Sequence, residues 1–174
     1  VNIMRPDWNG IYPALTTKLT TDDKLDIPLY LKNIEAQINA GIHGCVIAGS
    51  LGEASTLSQK EKISLLDATI AHVDGRIPVV MNIAEQSTAK AVKAAHNAQK
   101  SGADGLMMLP PMRYLADSYE TVEFYKSVAN SCDLPIMVYN NPYDYKIEIT
   151  ISMFEELLKV KNIGATKEST RDVT

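Results

Sequence analysis

The chain of 174 residues is long enough to build a hydrophobic core, and its 45% hydrophobic and 22% charged residues are ordinary for a globular protein. Its net charge of −4 and the lack of a basic stripe argue against nucleic-acid binding. No apolar run approaches the ~20 residues of a membrane-spanning helix, and residues 1–6 lack a signal-peptide pattern. Cys45 and Cys132 lie in or beside apolar segments, which favours buried free thiols in a reducing cytoplasm.

Short apolar runs alternate with longer amphipathic stretches along the chain. The predicted strands are residues 11–16, 44–48, 78–83, 105–109, 136–139 and 164–167. The predicted helices are residues 28–40, 59–73, 89–100, 118–130 and 151–158. A strand and a helix in roughly 30 residues form the repeating unit of a parallel sheet, so the pattern predicts six such units.

Residues at the helix starts agree with this division. Ser58 and Glu61 form a capping box before the second helix, and Asp26 followed by Pro28 is typical of the start of the first. No linker, low-complexity tract or charge run divides the chain. We therefore predict one domain over residues 1–174.

Two architectures use such units, the open doubly wound sheet and the eight-stranded barrel. An open sheet of the Rossmann type should carry Gly-x-Gly-x-x-Gly after its first strand, but residues 16–20 are Thr-Thr-Lys-Leu-Thr. The distinctive residues instead follow several different strands, which is typical of a barrel mouth. We predict a (β/α)8 TIM barrel with about six units present. Because a closed barrel needs about 250 residues, we expect the chain to be C-terminally truncated.

Lys167, at the end of the sixth predicted strand, is the first candidate catalytic residue. An ion pair with Glu168 is the structural alternative, but consecutive strand residues point to opposite faces. A lysine is also unusual in a central strand of a parallel sheet, which we expect to be buried. Burial in a barrel mouth favours a free amine, which can form an imine with a ketone.

Two further elements lie at the ends of other strands. Tyr139 ends the fifth strand, and its phenol is a candidate acid–base group beside Lys167, although a lone strand-end tyrosine is more often a packing residue. The segment Gly49-Ser50-Leu51-Gly52-Glu53 follows the second strand, and the backbone N–H groups of such a loop can face a carboxylate. An ordinary turn braced by Glu53 is the alternative.

These elements, in this order, resemble the dihydrodipicolinate synthase / N-acetylneuraminate lyase family of class I aldolases over essentially the whole chain. The resemblance rests on Gly-x-x-Gly-Glu at residues 49–53, Tyr-Asn-x-Pro at residues 139–142, and Lys167. It implies a (β/α)8 barrel, usually a homotetramer, in which Lys167 forms a Schiff base with pyruvate or another 2-keto acid. It also implies that Gly49, Ser50 and Leu51 bind the substrate carboxylate, that Gly52 and Glu53 position the loop, and that Tyr139 transfers protons with help from Ser50.

Two departures from the family pattern narrow the range of possible substrates. The synthases carry a second threonine where this chain has Leu51, and an arginine for a second carboxylate where this chain has Asp144. A carboxylate cannot replace a bidentate guanidinium. These departures argue against such a synthase. Leu109-Pro110-Pro111-Met112, together with Tyr-Asn-Asn-Pro at residues 139–142, resembles branches of the family that act on sugar-acid or hydroxyproline-derived substrates. That resemblance implies a lyase or aldolase of the dehydratase or deaminase type, with 4-hydroxy-tetrahydrodipicolinate synthase as the alternative. The aromatic residue that synthases supply to a neighbouring subunit falls near residues 111–114.

Two other hypotheses remain at this stage, a non-catalytic keto-acid-binding relative and an incomplete barrel that only associates with other chains. The presence of both Lys167 and Tyr139 counts against the first. The sequence has no nucleotide, flavin or metal motif, so we expect no cofactor and no metal. The expected partners are a small keto acid and further copies of the chain, with no nucleic acid and no membrane, in the cytoplasm.

Overall fold

The structure is a computed structural model that describes residues 6–111 and 114–171. In chain order, its elements are α1 (Ile27–Asn39), β1 (Cys45–Ile47), α2 (Gln59–Val73), β2 (Val79–Ile83), α3 (Thr88–Ser101), β3 (Gly105–Met108), α4 (Ser118–Ala129), β4 (Ile136–Asn140), α5 (Pro142–Tyr145), α6 (Ile151–Leu157) and β5 (Ile163–Glu168). The strands form a parallel sheet in the order β1-β2-β3-β4-β5, so each strand pairs with the next one along the chain. A parallel sheet in sequential order with helical connections is the wall of a (β/α)8 barrel.

The strands separate two apolar layers, because alternate strand residues face opposite sides. On one side, residues such as Met81 and Met108 pack with helix residues such as Leu66 and Tyr125. The other side carries a smaller group, which we call the inner cluster; its buried members are Val46, Val80, Met107, Leu109 and Tyr139. The inner cluster lies on the face that becomes the interior of a barrel.

The first predicted strand, residues 11–16, does not form as expected. It is an extended segment that joins β1 through one parallel bridge between Ala14 and Val46. The N–H of Leu15 donates to the Val46 carbonyl at 2.8 Å, and the Val46 N–H donates to the Pro13 carbonyl at 2.9 Å. Pro13 has no N–H to donate, so the ladder is interrupted there. The described residues therefore contain five strands, with residues 11–16 joined to β1 only by this bridge, where the sequence predicted six strands.

The predicted helices all form, with some ends shifted slightly. The capping box before α2 is confirmed: Ser58 Oγ accepts from the Glu61 N–H at 3.3 Å, and the Glu61 carboxylate accepts from the Ser58 N–H at 2.8 Å. Asp26 caps α1 by accepting from the Leu29 N–H at 2.9 Å. The four-residue helix α5 was not predicted, because a single turn is too short to show a helical period.

A register shift in the last strand pair decides which residues of β5 face the inner cluster. Ile136 pairs with Ile163, but Met137 pairs with Ala165, so Gly164 is an extra residue on β5. Extra residues of this kind are β-bulges, and they change which side chains lie opposite one another. The expectation that this strand is buried was wrong: among the described residues, β5 lies at the sheet edge and only Ile163 of it is buried.

The two cysteines are free thiols, as predicted, with Cys45 buried and Cys132 half-buried. Burial in β1 raises the pKa of Cys45 to about 12, and the charge of Asp104 adds to the effect. Burial disfavours the thiolate because an apolar surrounding cannot solvate its charge.

This burial predicts a loss of stability at alkaline pH. The folded state keeps Cys45 protonated, whereas the unfolded thiol ionises near its ordinary pKa of 9.0. The contribution of Cys45 is therefore complete below pH 9 and declines as pH rises toward 12, by about 1 kcal/mol in the first pH unit. Urea unfolding between pH 8 and about 10 should show a shallower decline for Cys45→Ala than for the unchanged protein. Parallel curves for the two proteins would contradict this prediction.

Candidate active site

Lys167 and Tyr139 lie side by side at the carboxyl ends of β5 and β4. They are direct partners in the register of the two strands, and Lys167 Nζ lies 4.1 Å from the centroid of the Tyr139 ring. This distance allows an ammonium to interact with an aromatic face. Tyr139 is 8% exposed and belongs to the inner cluster, while Lys167 is half-buried. The structure thus brings together the two residues that the sequence placed at the ends of adjacent strands.

Glu168 takes part in different contacts from Lys167. Its carboxylate accepts from Asn140 Nδ2 at 2.9 Å and from the N–H groups of Ser169 and Thr170, both at 2.8 Å. These bonds lie at the sheet end, on the side of β5 opposite Lys167. The carboxylate therefore organises the chain after β5, in agreement with the prediction that the two side chains diverge.

The phenol of Tyr139 is held by Asn141, which the sequence reasoning did not single out. Asn141 is 4% exposed, and its Nδ2 donates to Tyr139 Oη at 3.2 Å and to Asp144 Oδ2 at 2.7 Å. Since the phenol oxygen accepts from Asn141, its own O–H remains available as a donor to another group. Asp144, at the position of the synthase arginine, is engaged with Asn141 and offers no cation there.

The Gly49–Glu53 segment is a tight series of turns directly after β1. The Gly49 carbonyl accepts from the N–H groups of Gly52 at 3.0 Å and Ala54 at 3.1 Å, and the Ser50 carbonyl accepts from the Glu53 N–H at 3.1 Å. Within residues 6–111 and 114–171, the backbone N–H groups of Ser50 and Leu51 have no acceptor. The loop therefore presents two consecutive unused donors, as a carboxylate-binding loop requires.

The two glycines of this loop have different roles. A Cβ on Gly52 would lie 2.8 Å from the Leu15 carbonyl oxygen, whereas a Cβ on Gly49 would meet only Met107 Cε, at 3.9 Å. The close approach is locked by Thr17, whose buried hydroxyl donates to the Gly52 carbonyl at 2.6 Å. Glu53 has a positive φ of 58°, and its carbonyl accepts from the Thr56 hydroxyl at 2.9 Å. Gly52 and Glu53 thus position the loop through the backbone.

A buried amide on β2 supports the same loop. Asn82 is 3% exposed, and its Nδ2 donates to the carbonyl of Ala48 at 2.9 Å. Ala48 has a positive φ of 51°, an unfavourable conformation for a residue with a Cβ. Asn82 shares the alternation of Val80, a member of the inner cluster, and its Oδ1 has no partner among the described residues. A polar residue within the apolar run of residues 79–83 was the available sequence signal.

Ser50 and Tyr145 form a hydroxyl pair at the same end of the sheet. Ser50 Oγ and Tyr145 Oη are in hydrogen-bond contact, and the Tyr145 ring lies edge-on to the Tyr139 ring with centroids 5.7 Å apart. Partial burial raises the pKa of Tyr145, and its bond to Ser50 offsets only part of that shift. Leu51 is 70% exposed. The structure therefore joins Ser50 to the Tyr139 region through a residue that the sequence reasoning missed.

A cavity opens beside the hydroxyl pair. Ser50, Tyr145, Leu109, Lys62 and Glu85 are among its lining residues. Lys62 and Glu85 form an ion pair at 3.6 Å, with side chains 10% and 12% exposed. This charged pair is shielded from solvent and lies at the carboxyl end of the sheet.

Part of the predicted site falls outside the described residues. Met112 and Arg113, in the loop expected to supply an aromatic residue to a neighbouring subunit, are not described; Tyr114 beside them is 77% exposed. Residues 1–5, part of the segment without a signal-peptide pattern, are also not described. In the part of the chain that is described, no helix is long and apolar enough to cross a bilayer, and no group of three or more His, Cys, Asp or Glu could hold a metal.

Comparison with known proteins places this chain and its fold in one family. The sequence model of the dihydrodipicolinate synthetase family matches residues 7–174. An uncharacterised DapA-like lyase of Rhizobium meliloti is 32% identical over 97% of this chain and 56% of its own length. A 4-hydroxy-tetrahydrodipicolinate synthase of Exiguobacterium sibiricum is 34% identical over 96% of this chain and 57% of its own length.

The crystal structure of YagE from E. coli, a prophage protein of the dihydrodipicolinic acid synthase family in complex with pyruvate, has the same fold. Its TM-score is 0.90 at 30% identity, over 94% of this chain and 55% of YagE. The described fold is thus part of a (β/α)8 barrel. The chain belongs to the dihydrodipicolinate synthetase family. It spans about half the length of the relatives it matches.

The different roles of the two loop glycines give a matched pair of variants. Gly52→Ala should lower the free energy of unfolding by about 1–3 kcal/mol, because its Cβ overlaps a backbone carbonyl. Gly49→Ala should change the free energy of unfolding by less than about 1 kcal/mol. Urea unfolding of the full-length variants measures both. Equal losses of unfolding free energy in the two variants would contradict the close approach of Gly52 to the Leu15 carbonyl.

Proposed function

We propose that this chain carries the imine-forming site of a lyase that acts on pyruvate or a related 2-keto acid. The observation that carries the proposal is the contact of Lys167 with Tyr139, an amine beside a phenol at the carboxyl end of a barrel sheet. Active sites of such barrels lie at that end of the strands. The pyruvate complex of YagE supports a keto acid as the ligand class.

The reaction begins with attack of the Lys167 amine on the ketone carbon of the substrate. The resulting carbinolamine loses its hydroxyl as water and becomes a protonated imine with the lysine nitrogen. This imine withdraws electrons from the adjacent carbon, so that carbon can lose a proton or the next bond can break. Tyr139, held by Asn141, supplies a proton to the leaving hydroxyl and recovers one from the adjacent carbon.

The Gly49–Glu53 loop binds the substrate carboxylate in this proposal. The unused N–H groups of Ser50 and Leu51 donate to its oxygens, and the Ser50 hydroxyl adds a third donor. A carboxylate that accepts several such bonds is held in one orientation, which brings the neighbouring ketone to the amine. The side chain of Leu51 takes no part, since it is exposed and has no polar atom.

The substrate beyond the keto acid is proposed to be a sugar acid or a hydroxyproline-derived imino acid, converted by dehydration, deamination or aldol cleavage. Asp144, bonded to Asn141, offers no cation for a second carboxylate. The second candidate is 4-hydroxy-tetrahydrodipicolinate synthase, which the 34% identity with the Exiguobacterium sibiricum enzyme favours. Formation of 4-hydroxy-tetrahydrodipicolinate distinguishes the two, because only the second candidate makes it.

We also propose a cytoplasmic homo-oligomer, a tetramer by family resemblance. Three large side chains are about three-quarters exposed: Tyr114, Leu115 and Tyr119. An apolar surface of this kind is what a subunit contact covers. The sedimentation coefficient of the full-length protein measures this directly. The single-domain prediction for residues 1–174 stays a prediction.

Turnover of a panel of 2-keto acids and hydroxylated imino acids tests the proposed function. Lys167→Ala in the full-length protein should abolish turnover of any active substrate, whereas Lys161→Ala, at an exposed position just before β5, should leave it unchanged. Tyr139→Phe should lower turnover about 10²–10⁴-fold, because it removes the group that transfers protons. Full activity of Lys167→Ala would overturn the proposed function.

A further inference from the structure

Tyr145 reaches the site because of the local structure that follows β4. Asn141 caps α5 by accepting from the Asp144 N–H at 3.3 Å, and the turn closes when the Lys146 N–H donates to the Pro142 carbonyl at 3.0 Å. Lys146 has a positive φ of 61°, which ends the helix immediately after Tyr145. The turn thereby places the Tyr145 ring against the inner cluster, edge-on to Tyr139.

The hydroxyl pair of Ser50 and Tyr145 has one hydrogen between its two oxygens. A phenol is more acidic than an alcohol, so Tyr145 is the better donor and Ser50 Oγ the better acceptor. Partial burial raises the pKa of Tyr145, which keeps its proton in place at neutral and mildly alkaline pH. With Tyr145 as the donor, the Ser50 O–H hydrogen remains free for a further acceptor.

We propose that Tyr145 is a positioning residue for the carboxylate loop: its phenol fixes the Ser50 hydroxyl so that Ser50 donates its hydrogen to the keto-acid carboxylate. The inference rests on the proposed function, because it takes that carboxylate as the ligand. Tyr145 acts through Ser50, whereas Tyr139 acts on the reacting atoms. The same chain therefore supplies both phenols, Tyr139 from β4 and Tyr145 from the end of α5.

The contact also joins two parts of the site that are 95 residues apart in sequence. Ser50 belongs to the loop after β1, and Tyr145 to the turn after β4. Because Ser50 is an exposed residue on a loop, its hydroxyl would rotate freely without a partner. A fixed donor lowers the entropy lost when the carboxylate binds, which is the physical basis of the expected gain in affinity.

The test measures the pyruvate concentration that gives half-maximal borohydride trapping on the full-length protein. Tyr145→Phe should raise this concentration about 5-fold, the effect of one hydrogen bond, without lowering the maximal extent of trapping. Tyr143→Phe is the matched control, since Tyr143 is 55% exposed on the same turn and its ring contacts Arg171. This control should match the unchanged protein.

Ser50→Ala and the double variant decide whether Tyr145 acts through Ser50. If it does, Tyr145→Phe should add less than about 2-fold in the Ser50→Ala background. An unchanged half-saturation in Tyr145→Phe would overturn the proposal. So would an equal rise in Tyr143→Phe, or the full 5-fold rise on top of Ser50→Ala.

Pyruvate binding to Lys167→Ala separates this proposal from the function on which it rests. That variant cannot form the imine at residue 167, so calorimetric titration reports the carboxylate contacts alone. Weaker binding in Lys167→Ala/Tyr145→Phe than in Lys167→Ala supports the role of Tyr145 even if the unchanged protein forms no adduct. Equal affinities, or no measurable binding to either variant, would overturn it.

Discussion

Parallel pairing of β4 with β5 places Lys167 opposite Tyr139, and the extra residue Gly164 sets that register. Residues that pair in neighbouring strands face the same side of a sheet. Without the extra residue, continued pairing from Ile136 and Ile163 would bring Thr166 opposite Tyr139. The lysine would then face the helices. One residue in β5 therefore determines whether an amine or a threonine hydroxyl reaches the inner side of the sheet.

Around this pair, buried amides fix the loops that follow the strands. Asn82 donates to the carbonyl of Ala48 just before the Gly49–Glu53 loop, and Asn141 links the Tyr139 phenol to the α5 turn. Asn140 Oδ1 accepts from the Ile149 N–H at 2.9 Å, and its Nδ2 donates to Glu168. Buried amides are costly unless bonded, so each of these contacts favours one loop conformation over others. The site thus depends on side chains that themselves perform no chemistry.

Five of the six described helices and five of the strands could be predicted because each depends on local pattern. Strand order also placed Lys167 and Tyr139 at the ends of neighbouring strands, although the register that makes them partners depends on Gly164. Three further features could not be predicted. The break at Pro13 depends on which residue of the segment lies where the β1 chain needs an N–H donor, and only the folded register defines that. The α5 turn is shorter than any periodic signal, although Asn141 before Pro142 resembles a helix start. The partnership of Ser50 with Tyr145 joins two loops whose relative position only the folded sheet defines.

The proposed reaction depends on an imine between Lys167 and a keto acid. Mass spectrometry of peptides from the full-length protein, after incubation with pyruvate and borohydride, detects this bond. We expect the reduced pyruvate adduct on the peptide that contains Lys167, and none on the peptides of Lys161 and Lys146. An adduct on another lysine, or none on the Lys167 peptide at saturating pyruvate, would contradict it.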